Sequence, residues 1–143
     1  MQEINYSKDL SSKTYQDALN IRKEVFIKEQ NVDPDIEIDG EDKCTHVTIY
    51  VDNKPAGTAR YYPTADNGIH IQRVAVLKEF RHQGLASILL KDIIAKAKES
   101  GYDYIILGAQ DHAQAFYTQL GFKVIGEQYQ EAGILHHDMK YSI

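Results

Sequence analysis

The sequence has very little cysteine and no long apolar run, and each shortage excludes a class of protein. Cys44 is the single cysteine among 143 residues, so an internal disulfide is impossible and we expect a reducing, cytoplasmic location. No apolar run approaches the ~20 residues that a membrane helix needs. The opening residues MQEINYSKDLSSK also lack the apolar stretch of a signal peptide. We therefore expect neither a secreted disulfide scaffold nor a membrane-bound protein.

The sequence also has no excess of basic residues. Lys and Arg number 16 against 21 Asp and Glu, which gives a net charge of −5. A nucleic-acid partner is excluded on this ground, because phosphate binding needs a basic face and the basic residues here are interspersed with acids. The chain is about the length of one typical domain and contains no repeat or linker, which predicts a single domain over residues 1–143.

The hydrophobic pattern predicts a mixed α/β domain. A helix is expected after Ser12 and should run to about Glu29, since apolar residues recur there every three or four positions. A second, longer helix is expected from Leu85 to a stop at Gly101. Three strands lie between these helices, and the remainder reads as strand, helix, strand and strand. The alternation of strand and helix in this second part predicts a right-handed crossover and a parallel strand pair.

The segment RVAVLKEFRHQGLA joins a predicted buried strand to the start of the longer helix. The first turn of a helix carries unpaired main-chain N–H groups, and Gly84 lets backbone approach an anion closely. Arg81 adds a charge suited to phosphate. Taken alone, the pattern fits either an anion site or an ordinary helix cap. A Walker loop and a dinucleotide fingerprint are both excluded, because GK[ST] and the first glycine of GxGxxG are absent.

A second strand-to-helix junction follows in YIILGA and AQAFYTQLGF. Aromatic residues on a helix are usually part of the core, and Phe116 is interpreted in this way. Tyr117 differs from Phe116, because its hydroxyl requires either a partner or a function.

These two junctions resemble motifs A and B of the GNAT superfamily of N-acetyltransferases. The sequence RHQGLA matches the pattern [Q/R]xxGx[G/A], and AxxFYxxxGF follows it in the order and at the separation of that superfamily. Further segments, IRKEVFIKEQNV, EIDGED, LGAQ and EAGILHHDM, resemble its small ElaA-like branch. The resemblance covers almost the whole chain. It implies a mixed, mostly antiparallel twisted sheet with a central parallel strand pair and flanking helices.

The resemblance also implies a cosubstrate, acetyl-CoA. Its pyrophosphate would lie on the N–H groups of residues 81–86, and its pantetheine arm would pair with the strand at Val74 and Val76, where the parallel strands splay apart. Gln110 stands where many members carry Asn. The residues implied to contact acetyl-CoA are Val74, Ala75, Val76, Arg81, His82, Gln83, Gly84, Leu85, Ala86, Gln110, Ala113 and Phe116.

The implied reaction is attack of an amine on the thioester, with Tyr117 as general acid and the Val76 N–H supporting the oxyanion. The acceptor would be a primary amine of a small molecule or peptide. A base is needed because an alkylamine is protonated at pH 7. The spacing singles out none of the available groups, which are Glu29, Asp39, Glu41 and His46. Positions 33–42 hold six acids, interpreted as a solvated loop or as a local field for a cationic amine.

The histidines suggest a metal site at first, but the spacing argues against one. His136 and His137 are adjacent on a predicted strand and point to opposite faces, and HxxxH, HExxH and CxxC are all absent. We expect no metal, and interpret His136 either as facing the acceptor pocket or as a core residue.

Two other functions and a dimer stay open at this point. One is a non-catalytic CoA-binding sensor or interaction module. The other is an acyltransferase with a longer acyl donor, since IRKEVFIKEQ resembles the first helix of acyl-homoserine-lactone synthases. The sheet edges make a homodimer plausible.

Overall fold

The computed structural model describes residues 2–29, 40–131 and 133–143, which form seven strands and three α-helices. The strands are β1 (Gln2–Ser7), β2 (Thr45–Val51), β3 (Lys54–Pro63), β4 (Gly68–Val76), β5 (Tyr104–Gln110), β6 (Lys123–Glu131) and β7 (Ile134–Ser142). The helices are α1 (Lys13–Arg22), α2 (Leu85–Glu99) and α3 (Gln114–Gln119). A π-helical segment, Lys23–Glu29, continues α1, and short 3-10 turns occupy Glu41–Lys43, Lys78–Phe80 and Asp111–Ala113.

The strands form one sheet in the order β1-β2-β3-β4-β5-β7-β6. Strands β4 and β5 are parallel, with Gly68 opposite Tyr104 and Ile71 opposite Leu107, whereas β1–β2, β2–β3, β5–β7 and β6–β7 are antiparallel. The predicted mixed, mostly antiparallel sheet with a parallel pair and flanking helices is therefore confirmed.

Strand β1 is an element that the sequence pattern did not predict. Its residues QEINYS are mostly polar, and it is an edge strand that pairs only with β2. The pairing runs from Gln2 opposite Val51 to Ser7 opposite His46. A polar edge strand of this kind is stabilised mainly by pairing with its neighbour, because its own sequence lacks a clear apolar periodicity. The predicted helix start is confirmed, because the Ser12 side chain caps α1 by accepting from the Tyr15 N–H at 3.1 Å.

The chain divides into two compact units, Met1–Tyr62 with Arg73–Leu90 and Pro63–Gln72 with Lys91–Ile143. In the first unit, α1 packs on β2, and the Thr48 hydroxyl donates to the Thr14 carbonyl at 3.0 Å. Ile21, Val25 and Ala75 form a buried apolar cluster there. Cys44 is free and buried. The expectation of a single domain over 1–143 stays a prediction.

The core of the second unit includes β5, in which buried and half-buried residues alternate strictly. Ile105, Leu107 and Ala109 are buried, and the residues between them are half-buried. Met139 of β7 and Phe122 are buried as well, and α3 contacts β5 and β6. Across the described residues, the structure contains no helix that is long and apolar enough to cross a membrane.

Candidate active site

The predicted site residues fall into two groups, one in each unit, and the first group begins at the end of β4. Arg73 has a φ of 57°, a left-handed conformation that interrupts regular strand geometry as a bulge does. Beyond it, the Leu77 N–H donates to the Ala56 carbonyl of β3 at 2.9 Å. The main-chain groups of neighbouring strand residues point to opposite edges, so those of Val76 point away from β3. Arg81 Nε donates to the Val76 carbonyl at 2.9 Å on that side.

The segment between β4 and α2 presents main-chain N–H groups. His82 and Gly84 both have positive φ, 65° and 75°. The first helical bond after this turn is from the Ile88 N–H to the Gly84 carbonyl, 3.1 Å. The N–H groups of Leu85 and Ala86 precede that bond and belong to the first turn, at the positive end of the helix dipole. The Arg81 N–H differs from them, since it donates to the Lys78 carbonyl at 3.3 Å.

The Arg81 guanidinium group is held by two partners. Besides its bond to Val76, its Nη2 lies 3.0 Å from each carboxylate oxygen of Glu29. This pair is about one third exposed. The charge that was predicted to meet phosphate is therefore already matched by a carboxylate.

The second group surrounds the end of β5 and the start of α3. Gln110 ends β5, Ala113 lies in the 3-10 turn, and both are half-buried, as is Phe116. Tyr117 is buried, with its ring 5.1 Å from that of Phe116 and 5.9 Å from that of Phe122. The predicted core role of Phe116 is thus accompanied by direct packing on Tyr117.

Tyr117 is the residue that was predicted to act as general acid. Its hydroxyl makes no hydrogen bond to any residue in the described ranges 2–29, 40–131 and 133–143. Burial raises the pKa of Tyr117 to about 12, because a phenolate loses solvation inside the protein. The side chain is therefore a neutral O–H across the whole physiological pH range, which is the state that a proton donor needs.

Three of the groups considered as bases are engaged elsewhere. The buried Glu41 carboxylate lies 2.7 Å from Arg22 Nη2 and 2.6 Å from Arg60 Nη1, and accepts from the Tyr15 hydroxyl at 2.5 Å. Burial acts to raise the pKa of Glu41, but these partners outweigh it and lower the pKa. His46 is fully buried, with Nε2 2.9 Å from the Glu41 carbonyl. Glu29 binds Arg81, and Asp39 lies outside the described residues, as do the other acids of positions 33–39.

The two adjacent histidines of β7 lie on opposite faces, as predicted. His137 Nδ1 is 2.8 Å from Asp111 Oδ1, whereas His136 stacks on Tyr129 with ring centroids 5.7 Å apart. Tyr129 and its partner Asp138 were missed by the sequence reasoning. The sequence contains no signal for their contact, because it depends on the register between β6 and β7, which shifts between Ile125 and Tyr129. No group of three or more His, Cys, Asp or Glu that could hold a metal occurs within the described part of the chain.

Comparison with known proteins identifies the fold. Residues 9–143 match the family described as Acetyltransferase (GNAT) domain. The chain belongs to the GNAT acetyltransferase family. The matched region contains both predicted motifs of the GNAT superfamily, which confirms the resemblance drawn from the sequence.

Relatives of this GNAT chain cover nearly its full length. The uncharacterized N-acetyltransferase YjcF of Bacillus subtilis is 38% identical over 125 residues, 86% of this chain and 89% of YjcF. Protein ElaA of Escherichia coli is 31% identical over 144 residues, 96% of this chain and 93% of ElaA. The ElaA crystal structure has a TM-score of 0.85 at 29% identity, and covers 99% of this chain and 100% of ElaA.

One more distant structure contains a ligand. A GNAT family acetyltransferase from Elizabethkingia anophelis, solved with acetyl-CoA bound, has a TM-score of 0.74 at 21% identity and covers 99% of this chain and 98% of its own. At this identity the likeness concerns the GNAT fold alone.

Proposed function

We propose that this chain is an N-acetyltransferase that transfers the acetyl group of acetyl-CoA to a primary amine of a small molecule or peptide. The amine attacks the thioester directly, and Tyr117 acts as general acid. The observation that carries the proposal is Tyr117, a buried residue whose neutral hydroxyl has no hydrogen-bond partner among the described residues. A protein that only binds CoA has no use for such a hydroxyl.

The first unit supplies main-chain groups that suit two parts of acetyl-CoA, the pyrophosphate and the pantetheine arm. The turn at His82 and Gly84 and the free N–H groups of Leu85 and Ala86 suit a pyrophosphate. The main chain at Val74 and Val76 faces away from β3 and suits the amides of the pantetheine arm, with both N–H groups as donors and the Val74 carbonyl as acceptor. The Val76 carbonyl already accepts from Arg81 Nε. The acetyl-CoA-bound relative supports the same ligand class.

The Val76 N–H has a further role in the proposal. It points to the same side as the Val76 carbonyl, away from β3. A fixed main-chain donor on that side would stabilise the negative charge that develops on the thioester oxygen. The amine nitrogen forms the new C–N bond, the C–S bond breaks, and the departing sulfur takes the Tyr117 proton.

Thiol release from acetyl-CoA across a panel of amines tests the function. The panel comprises alkylamines, polyamines, amino sugars and peptides with a free N-terminus, and each is also assayed with longer acyl-CoA thioesters. We expect steady thiol release with acetyl-CoA and at least one amine, and acetylated amine in equal amount by mass spectrometry. Tight acetyl-CoA binding without turnover would support a binding module instead, and preference for a long acyl chain would change the donor. The cytoplasmic location and the homodimer stay predictions from the sequence.

A further inference from the structure

Strand register in the second unit gathers a set of polar side chains on one face of the sheet. His136 of β7 lies opposite Gln110 of β5 and opposite Tyr129 of β6. Side chains of directly opposed residues project to the same face. His137 and Met139 alternate with these residues and project to the other face, where Tyr141 packs on Phe122 with ring centroids 5.6 Å apart.

Tyr117 belongs to that other face, since its ring also packs on Phe122. Gln110 is the last residue of β5 and directly precedes the turn that leads into α3. The parallel register of β4 and β5 ends at Ile71 and Leu107, before Gln110 is reached. His136 and Tyr117 are therefore on opposite faces of the sheet.

The His136 ring is fixed in one tautomer. Its residue is 7% exposed, and its Nδ1 lies 2.7 Å from the Ile134 carbonyl. A carbonyl oxygen only accepts, so Nδ1 carries the proton in the neutral ring. The Nε2 lone pair is then the free basic site, and Nε2 makes no hydrogen bond to any residue that the structure describes.

Two side chains of β6, those of Glu131 and Tyr129, lie beside the His136 ring. Glu131 Oε2 lies 3.9 Å from Nε2, which is too far for a hydrogen bond. Tyr129 stacks on the ring with an interplanar angle of 18°, and its hydroxyl donates to Asp138 Oδ1 at 2.7 Å. Gly108 makes this possible, because a Cβ there would lie 2.4 Å from the Tyr129 hydroxyl oxygen.

Among the described residues, the carboxylates placed on this face beside His136 are those of Glu131 and Asp138. Lys140 follows on β7, but its Nζ lies 4.6 Å from the centre of the Tyr104 ring, at the other end of the strand pair. Gln110 and Gly108 of β5 carry no titratable group. These two carboxylates suit a cationic amine acceptor.

We propose that His136 is the general base for a cationic primary amine acceptor, which rests on the acetyltransferase function proposed above. Nε2 takes one proton from the ammonium group, and the neutral amine then attacks the thioester carbonyl. A second proton then leaves the amine nitrogen and restores the Tyr117 hydroxyl, which has given its own proton to sulfur. His136 returns its proton to solvent. The balance is acetyl-CoA and ammonium giving amide, CoA thiol and one proton.

The test compares two acceptors in the variant His136→Asn, whose amide N–H keeps a donor near Nδ1 but removes the Nε2 base. The acceptors are the most active alkylamine of the panel and the hydrazide with the same carbon skeleton, which is neutral at pH 7. We expect kcat/KM for the alkylamine to fall about 10²-fold, and that for the hydrazide to fall less than about 5-fold, since no proton has to be removed before attack.

Glu131→Gln gives a second measurement at a half-exposed position, in case the first variant folds poorly. A smaller fall of about 3- to 10-fold, again confined to the alkylamine, is expected. His137→Asn on the opposite face is the matched control and should affect both acceptors equally. Equal losses for both acceptors in His136→Asn, or no loss, would overturn the base role while leaving the acetyltransferase intact. A wild-type protein without turnover on any amine would overturn the function and the base together.

Discussion

Arg81 Nη2 lies 3.0 Å from both carboxylate oxygens of Glu29, and the same side chain donates from Nε to the Val76 carbonyl at 2.9 Å. The pair holds the guanidinium beside the end of β4 and balances its charge. An arginine in this position orders the strand end, and its charge becomes available to a phosphate only in competition with Glu29.

Replacing Glu29 by Gln should therefore strengthen CoA binding. We expect the Kd of CoA to fall about 3-fold in low salt and the gain to fade as salt screens the charge. The free energy of unfolding should change by less than about 1 kcal/mol, because the pair is partly exposed. Isothermal titration at two ionic strengths measures both Kd values. Glu24→Gln, in the same helical segment and paired with Lys28 at 3.1 Å, is the control, and a weaker Kd for Glu29→Gln would contradict the prediction.

Long helices could be predicted from the sequence because their apolar residues recur at a regular spacing. Helix α2 shows this best, since Leu85, Leu89 and Ile93 are all buried along one face. Strand β1 was not predictable, because a polar edge strand takes its conformation from its partner. The change from α- to π-helix at Lys23 has no counterpart in the apolar periodicity either.

The candidate site residues also fall into those that could be predicted from the sequence and those that could not. Gly84 and Tyr117 stand in recognisable local patterns, so the sequence alone indicated them. The neighbourhood of His136 depends on the register between β6 and β7, which shifts between Ile125 and Tyr129. Gly126, with a φ of 71°, lies within that shift. Counting residues along the chain does not show where such a bulge falls, and so the contacts of Tyr129 could not be predicted.

The buried Glu41 cluster makes a prediction about stability. Glu41→Gln removes the carboxylate that two guanidinium groups contact, those of Arg22 and Arg60, which are 0% and 3% exposed. We expect a loss of about 3 kcal/mol in the free energy of unfolding at pH 7, measured by urea denaturation. Glu24→Gln, an exposed pair on the neighbouring helical segment, should cost less than about 0.5 kcal/mol.

The pH dependence of that loss has a definite sign. The pKa of Glu41 is lower in the folded protein than in the unfolded chain, so its contribution is complete above the unfolded pKa of about 4.3. It disappears as pH falls through the lower, folded pKa. The stability gap between wild type and Glu41→Gln should accordingly narrow below about pH 4. A gap that stays constant down to pH 3 would contradict the lowered pKa.

Gly84 tests the anion-binding turn. Its φ of 75° lies in the left-handed region, and a Cβ at this position would meet no atom within 4 Å. Gly84→Ala should therefore cost about 1 kcal/mol of stability through backbone strain alone, and should raise the Kd of acetyl-CoA about 10-fold by altering the turn. Gly126→Ala is a close match in φ and in open space. It should cost similar stability and leave the Kd unchanged; an equal effect on Kd in both variants would show that Gly84 acts only through stability.

Tyr117→Phe removes one oxygen atom from a buried ring and keeps its packing on Phe116 and Phe122. The hydroxyl has no hydrogen-bond partner in the described part of the chain, so the variant should be at least as stable as wild type. We expect kcat to fall about 10²-fold or more, with the Kd of acetyl-CoA unchanged. Because the pKa of Tyr117 is about 12, the hydroxyl stays protonated and should set no limb of the pH–rate profile below about pH 10. Stopped-flow thiol release measures kcat and its pH profile, and isothermal titration measures the Kd of acetyl-CoA. Tyr102→Phe is the control, at a half-buried tyrosine between α2 and β5. A near-normal kcat in Tyr117→Phe would remove the general acid from the mechanism, because the sulfur would then leave without its proton.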